Sequence, residues 1–351
     1  MHSNPLHSML PLERYRYLIG ALASENDAWD ESFWLRFAAQ AAVLCPEPPL
    51  VLAKRIRAVA DELLKQTLWY QTLAGPARFV VAAMLIQHHI SVTDFITEHT
   101  HASALMNDAG LRHDRFYEIM AVLILMMAPN HRLTSLLEIE RVKAIYDQMK
   151  GFHWWLTGPD DLPACTALAQ CPGTAEVLVA RVEDAYQELL GAGLPTGEHL
   201  QTMANLLPLA GLNVDETVKR FCGLTTILKR HMSPLTADHH VPLALLTLLD
   251  HDPELVIERL LVAIKELDLF QAEAQGAVNF HIAADLTFLD LVRFDHQQPP
   301  LTQRRAAADL QRSLHAYHLG SAVLVSQVDP NLFQFMSATG LTQWPYFPPF
   351  I

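Results

Sequence analysis

Histidine is the residue type that most favours chemistry in this chain, since the sequence contains 18 of them. His281 and Asp285 are four residues apart in a predicted helix, so their side chains face the same side. His239 and His240 are adjacent and come shortly before them in the sequence. Imidazole and carboxylate groups are the ligands of divalent transition metals such as zinc. These four residues are therefore a candidate metal site.

Other pairs of titratable residues have simpler explanations. His113-Asp114 and His251-Asp252 resemble the His-Asp core of helical metal phosphohydrolases. Both aspartates, however, stand where a helix N-cap is expected, and Pro253 is a favourable first helical residue. Glu98 and His101 have the spacing of half a carboxylate-bridged di-iron site, but the sequence has no second copy of that motif.

A second set of candidates could contact a bound ligand. The segment GFHWWLTGPDDLPACTALA contains two adjacent tryptophans, and the segment EHLQTMANLL carries amides one helical turn apart. Such amides bind a carbonyl of a peptide or bond to a neighbouring helix, and tryptophans fill a core or line a groove. The candidate ligand-groove residues are Trp154, Trp155, His199, Gln201 and Asn205.

Composition excludes several classes of partner. The 351 residues include 25 basic and 38 acidic ones, a net charge of -13, which disfavours nucleic acid and anionic membranes as partners. The longest apolar windows, FVVAAMLI and IMAVLILMMA, are far shorter than the roughly 20 residues of a membrane span. The four cysteines form no CxxC pair, and no signal peptide is recognisable. We expect a cytoplasmic protein without a membrane span.

Helical periodicity runs through nearly every segment between proline and glycine positions, for example in AEVLVARVEDAYQELLGAG. Alternating strand patterns are absent from the sequence. It therefore predicts an all-α fold.

Two offsets suggest an internal repeat. A shift of 79 residues aligns MKGFHWWLTGPDDLPA with LKRHMSPLTADHHVPL, and a shift of 83 aligns AGLRHDRFYEIMAVL with AGLPTGEHLQTMANL. A repeat of about 80 residues predicts stacked helical hairpins in a solenoid-like array. The predicted parts are N-terminal capping helices in 1–47, units in 48–130, 131–211 and 212–295, and C-terminal capping helices with a Pro/aromatic tail in 296–351.

The same alignment offers a structural explanation for the first candidate segment. Pro163 and Pro242 are both predicted to open a helix, because proline suits a first helical position. Asp160 and Asp161 then lie beside the positive end of that helix, where carboxylates are favoured. The second copy has His239 and His240 in their place, so the acids are not a fixed feature of the unit.

The segments HWWLTGPDDLPACTALA and YQELLGAGLPTGEHLQTMANLLPLAG resemble an uncharacterised all-helical bacterial family known only as a domain of unknown function. The resemblance covers about residues 130 to 290. It implies a cytoplasmic bacterial protein and supplies no activity.

The main functional prediction is a non-enzymatic protein that needs no cofactor and binds a peptide, protein or small ligand in a groove between helical units. One alternative is a metal-dependent helical hydrolase that uses the four candidate metal ligands and a divalent transition metal. The other is an oligomeric structural component, and formation of a homo-oligomer is left open in either case.

Overall fold

Helices form all of the regular secondary structure in the part of the chain that the computed structural model describes, which confirms the all-α prediction. The described residues are 9–24, 29–66, 71–111, 115–129, 131–270, 276–297 and 303–327. His113, Asp114 and the Pro/aromatic tail lie outside them. The helices are α1 (Pro11–Ala23), α2 (Trp29–Ala41), α3 (Pro49–Gln66), α4 (Gln71–Ala74), α5 (Arg78–Gln87), α6 (Val92–Asp108), α7 (Arg115–Met126), α8 (Leu136–Phe152), α9 (Leu162–Ala169), α10 (Ala175–Gly191), α11 (Glu198–Leu206), α12 (Val214–Leu228), α13 (Ala237–Leu246), α14 (Pro253–Phe270), α15 (Gly276–Gln297) and α16 (Gln303–Ser326), with 3-10 turns at Pro159–Asp161 and Leu207–Ala210.

Side-chain caps fix where many of these helices begin. At the start of α8 the Ser135 hydroxyl accepts a hydrogen bond from the Glu138 backbone, and the Glu138 carboxylate accepts one from the Ser135 backbone at 2.7 Å. This reciprocal pair satisfies two backbone donors that the helix itself leaves free. Asp252 caps α14 by accepting a hydrogen bond from Glu254 N at 2.8 Å. The capping duty predicted for Asp252 is therefore observed.

The two prolines of the predicted repeat do not have the same role. Pro163 lies in the first turn of α9, as predicted. Pro242 lies inside α13, which begins at Ala237 with Thr236 as its N-cap. The His239 side chain contributes to this N-cap, because its Nδ1 accepts a hydrogen bond from Thr236 N at 3.0 Å. The prediction that Pro242 opens a helix is wrong.

The helices after α6 stack in two rows. In one row, α8, α10, α12 and α14 contact one another in chain order, and in the other α7, α9, α11, α13 and α15 do so. The helices of the second row are almost entirely buried; in α9, for example, every side chain from Leu162 to Leu168 is inaccessible. The first row presents one polar face to solvent, as expected for amphipathic helices covering a core.

The first helices close this stack instead of leaving it open. Helices α1 and α2 pack against α15. Arg16 forms an ion pair with Glu266 at 3.0 Å, and the Gln40 amide donates a hydrogen bond to the Asp285 carboxylate. The end of the second row is thus covered, because α1 and α2 pack against α15.

Helix α16 fills the space that the second row encloses. It contacts α7, α9, α13 and the 3-10 turn at Leu207–Ala210. A Cβ atom on Gly320 would lie 2.8 Å from Leu245 Cδ1, so α16 approaches this buried side chain closely. Tyr317 stacks on Phe288 of α15 with ring centroids 4.6 Å apart. In the part of the chain that the structure describes, the enclosed face is therefore occupied by α16.

No single helix in the described ranges is both long and apolar enough to cross a bilayer; α5 and α6 meet those criteria only jointly, as a pair bent by 107°.

Candidate functional site

Three large aromatic side chains project into solvent where α8 ends. Phe152, Trp154 and Trp155 are exposed by 52%, 71% and 63% respectively. The two indole rings meet edge to face, with centroids 5.9 Å apart. We call residues 152–155 the aromatic loop. Adjacent apolar side chains with this exposure mark interaction sites on protein surfaces.

His153 anchors the aromatic loop to α10. Unlike its neighbours it is buried, and its Nε2 lies 2.7 Å from a carboxylate oxygen of Glu183. Its ring also packs on Tyr186 at a centroid distance of 4.3 Å. The carbonyl of His153 accepts hydrogen bonds from the backbone of Leu156 and Thr157, which completes a tight turn. The tryptophans are therefore presented from a fixed support.

A chain of buried hydrogen bonds supports the other end of this connection. The Gly158 N–H donates to one oxygen of the Asp161 carboxyl at 3.1 Å, and the Asn205 amide donates to the other at 3.3 Å. The Gln201 amide in turn donates to Asn205 Oδ1 at 3.1 Å. The segment before α9 is thereby bonded to α11.

Burial changes the acid–base behaviour of Asp161. Removal from water, together with the neighbouring Asp160 carboxylate, raises the pKa of Asp161 to about 8, although the hydrogen bonds from Gly158 and Asn205 act in the opposite direction. Burial also raises the pKa of Asp160. This rise favours the protonated form of the Asp161 carboxyl over the ionised form that an exposed aspartate would have. Being inaccessible, this carboxyl supports the connection and does not face a substrate.

The five candidate ligand-groove residues do not line one groove. Trp154 and Trp155 are exposed, whereas Gln201 and Asn205 are each only 2% exposed. His199 is on the solvent side of α11. The amides bond to each other and to Asp161, which gives both of them partners inside the protein. The alternative interpretation of the two amides, hydrogen bonding between helical segments, is observed.

The four candidate metal ligands are used in separate local contacts. His239 caps α13, and its ring packs on Phe280 with centroids 4.8 Å apart. His240 packs on Phe221, and burial lowers the pKa of both histidines. In the described ranges, no three His, Cys, Asp or Glu side chains are grouped so that they would hold a metal ion. The sequence pattern therefore does not converge on one ligand set.

His281 and Asp285 do form the predicted pair, with His281 Nε2 3.3 Å from Asp285 Oδ2. The Asp285 carboxyl is completely buried, and this burial raises its pKa. The Gln40 amide of α2 bonds to the same oxygen and also donates to the Ser321 hydroxyl of α16 at 3.0 Å. This polar cluster joins α2, α15 and α16 in the protein interior, where a substrate has no access.

Sequence reasoning did not identify His153, Glu183 and Asp161 as partners in the site. Asp161 was explained by its position before a helix, and His153 was one of many histidines. The one available signal was that His153 is a single titratable residue among the aromatic residues of FHWW, and it does not predict which of them is buried.

The surface around the aromatic loop is acidic. Apart from the buried Asp161, the chain has eight acidic residues and four basic ones between Leu136 and Gly191. Glu183 directly contacts the loop through His153, and Asp160 and Glu198 lie close enough to Asp161 to influence its charge. A cationic group near the tryptophans would therefore meet a favourable potential.

Comparison with known proteins gives a family and no activity. A family model described as a protein of unknown function (DUF4003) matches residues 22–296. An uncharacterized protein, YeaA, of Bacillus subtilis (strain 168) is 29% identical over 229 residues, which cover 62% of this chain. The match spans 65% of that relative, less than two thirds of its length. No solved structure matches the chain.

Proposed function

We propose that this chain, which belongs to the DUF4003 family of proteins of unknown function, is a non-enzymatic protein that binds a basic peptide segment of a partner protein. The observation that carries the proposal is the exposure of Trp154 and Trp155 side by side on an anchored loop. Tryptophan is enriched among the residues that dominate binding energy in protein interfaces.

The charge around the loop supports a basic partner. Lys and Arg side chains are attracted to the face of an indole ring, by about 0.5 to 2 kcal/mol. Acidic residues outnumber basic ones in the surrounding helices, and the whole chain has a net charge of -13. Both features favour the approach of a cationic segment and disfavour an acidic one.

The support beneath the loop also favours binding. The contacts of His153 with Glu183 and Tyr186 hold the backbone between the exposed rings. The aromatic loop therefore loses less conformational entropy when a partner binds, and this increases the affinity without any further contact.

We further propose that the chain consists of three related units, 48–130, 131–211 and 212–295. The supporting observation is a recurrence of helix starts. Helices α6 and α7 begin at Val92 and Arg115, and α10 and α11 begin 83 residues later, at Ala175 and Glu198. Helix α14 begins a further 78 residues after α10. On this proposal the aromatic loop is a feature of the second unit.

The proposed setting is the cytoplasm. All four cysteines are free thiols, and Cys45, Cys165 and Cys171 are buried, which suits a reducing compartment. No particular observation favours the alternative of a metal-dependent hydrolase. The alternative of an oligomeric structural component is distinguished by the experiment that follows.

The test is site-specific photo-crosslinking in living cells. A photoreactive phenylalanine analogue replaces Trp155 in one variant and Leu137 in a control, since Leu137 is similarly exposed, at 76%, near the start of α8. We expect a discrete adduct only from position 155, and mass spectrometry should place the cross-link in a Lys/Arg-rich segment of another protein. A synthetic peptide of that segment should bind the purified protein at least tenfold more weakly after Trp154→Ala.

Three results would overturn the proposal. The first is an adduct with a second copy of this chain, which would favour the oligomeric alternative. The second is the same set of adducts from positions 137 and 155, and the third is no adduct at position 155.

A further inference from the structure

The two tryptophan rings of the aromatic loop stand at right angles to each other. The planes of Trp154 and Trp155 make an angle of 88°, with ring centroids 5.9 Å apart. The His153 ring makes an angle of 87° with Trp155, at a centroid distance of 6.0 Å. Two large planar rings in perpendicular contact present one face each to the space between them. We call this space between Trp154 and Trp155 the aromatic corner, and the 71% and 63% exposure of the two side chains leaves it open to solvent.

The aromatic corner has the geometry of a cation site. The face of an indole ring is electron-rich, and a cation within about 6 Å of the ring centroid is attracted to it. Because the centroids of Trp154 and Trp155 are 5.9 Å apart, a single cation in the corner can lie within this distance of both rings. The excess of acidic residues in the surrounding helices attracts the same charge.

The contacts of Glu183 favour one kind of cation over another. One oxygen of its carboxylate lies 2.7 Å from His153 Nε2, and the other accepts a hydrogen bond from the Gln187 amide at 2.7 Å. Both oxygens therefore already have partners within the protein. A primary ammonium group has three N–H donors, and at the indole faces it would exchange water for weak acceptors. A quaternary ammonium group has no N–H donor, and its methyl groups gain apolar contact with the rings.

We infer that the aromatic corner binds a quaternary ammonium group, carried by a trimethylated lysine side chain of the partner peptide. The inference rests on the proposed function and names the cationic group that the partner presents. Trp154 and Trp155 provide the two contact faces, and the contacts of His153 with Glu183 and Tyr186 support the loop that carries them. Methylation of lysine keeps the positive charge, so the attraction to the acidic surroundings is retained.

The test of the group's chemistry is fluorine NMR of the full chain labelled with 5-fluorotryptophan. Choline carries a trimethylammonium group, 3,3-dimethyl-1-butanol has an uncharged carbon in place of its nitrogen, and ethanolamine carries a primary ammonium group. We expect choline to shift the Trp154 and Trp155 signals saturably and to bind at least fivefold more tightly than either of the other probes. Equal affinity of choline and one of the other probes, or no shift with choline, overturns the inference.

Three variants locate the binding. Trp154→Leu and Trp155→Leu each remove one ring from an exposed position, assign its signal, and should weaken choline binding at least fivefold at the remaining tryptophan. Tyr17→Leu removes an aromatic ring of 57% exposure from α1 and should leave the affinity unchanged. Unchanged affinity in both tryptophan variants overturns the inference, and so does a loss of equal size in Tyr17→Leu.

The photo-crosslinking experiment identifies the source of the group. We expect mass spectrometry to find a trimethylated lysine in the segment that is cross-linked to position 155. An adduct whose lysines are all unmodified, or an adduct formed by a protein that does not bind choline, overturns the inference and leaves the proposed function in place. Choline binding without any adduct at position 155 overturns both the proposed function and the lysine source, and assigns the aromatic corner to a free quaternary ammonium compound.

Discussion

The Asn205 side-chain amide lies 3.3 Å from the Asp161 carboxyl and joins parts of the chain 44 residues apart. Asp161 also accepts a hydrogen bond from Gly158, in the connection that starts with the aromatic loop. The buried face of α11 is thereby linked to the segment that presents the exposed tryptophans. Perturbing this carboxyl therefore tests both the stability of the fold and the support of the proposed binding surface.

The free energy of unfolding should fall as pH rises from about 4 to about 8, because in this range Asp161 is ionised in the unfolded chain but still protonated in the folded one. The pKa of Asp161 is raised from 3.8 to about 8 in the folded protein, so the folded state retains a proton that the unfolded state has lost. The associated stability is fully present below pH 3.8, decreases by up to about 1.4 kcal/mol per pH unit, and levels off above pH 8.

Asp161→Asn should remove this dependence. We expect the stability of the variant relative to the wild type to increase between pH 5 and pH 8, as measured by urea denaturation at several pH values. Asp184→Asn, on the exposed surface of α10, is the matched control and should follow the wild-type profile. Parallel profiles for Asp161→Asn and the wild type would show that Asp161 is ionised in the folded protein.

Removing the anchor of the aromatic loop should destabilise the protein. His153→Ala loses both the hydrogen bond to Glu183 and the ring contact with Tyr186. We expect a loss of about 2 kcal/mol in the free energy of unfolding, and about 1 kcal/mol for Glu183→Gln, which keeps an oxygen acceptor. Urea denaturation at pH 7 measures both. A change below about 0.5 kcal/mol in His153→Ala would mean that the loop is not held by this contact.

Two glycine substitutions should have opposite effects. In Gly320→Ala the new methyl group would lie 2.8 Å from Leu245 Cδ1 and 3.4 Å from Leu206 Cδ2, both buried. Overpacking of this kind costs about 1 to 3 kcal/mol.

Gly151→Ala is the counterpart in α8, where the added methyl group meets nothing within 4 Å. Alanine is favoured over glycine by up to about 1 kcal/mol in a helix interior and by less in the last turn, where Gly151 lies, so this variant should be as stable as the wild type or slightly more stable. Thermal unfolding followed by circular dichroism compares the two. Equal melting temperatures for both variants would contradict the central position of α16.

The contact of Gln40 with Asp285 should contribute to closure of the helical stack. Asp285 is buried, and its Oδ1 has no hydrogen-bond partner among the described residues, so the amide at Oδ2 is difficult to replace. We expect Gln40→Ala to lower the free energy of unfolding by about 1 to 3 kcal/mol. A double-mutant cycle with Asp285→Ala should give a coupling energy of at least about 0.5 kcal/mol. Additive effects would show that the pair does not hold α2 against α15.

Local sequence patterns predicted the helices well, because helix formation depends on signals only a few residues apart. The first turn of α9 at Pro163 and the cap at Asp252 are both of this kind. Pro242 misled the same reasoning, since proline inside a helix is disfavoured, yet Thr236 and His239 start α13 before it. A capping histidine is not a signal that spacing alone identifies.

The candidate site was less predictable, because it depends on burial. The spacing of Gln201 and Asn205 is the same whether the amides face a ligand or a buried carboxyl, and only the position of Asp161 decides between these arrangements. Closure of the helical stack cannot be predicted from local sequence patterns either. Arg16 and Glu266 are 250 positions apart, and neither has a distinctive sequence context.

The position of α16 delays completion of the core during synthesis. Helix α1 is made early, but its partner Glu266 follows 250 residues later, which at roughly 5 to 20 residues per second takes on the order of ten to fifty seconds. The largely buried part of α16, from Ala316 to Ser326, emerges later still. Until then the inner faces of α7, α9 and α13 lack their final covering. We therefore expect the nascent chain to expose apolar helix faces during synthesis, and truncation before α16 should convert a folded protein into an aggregating one.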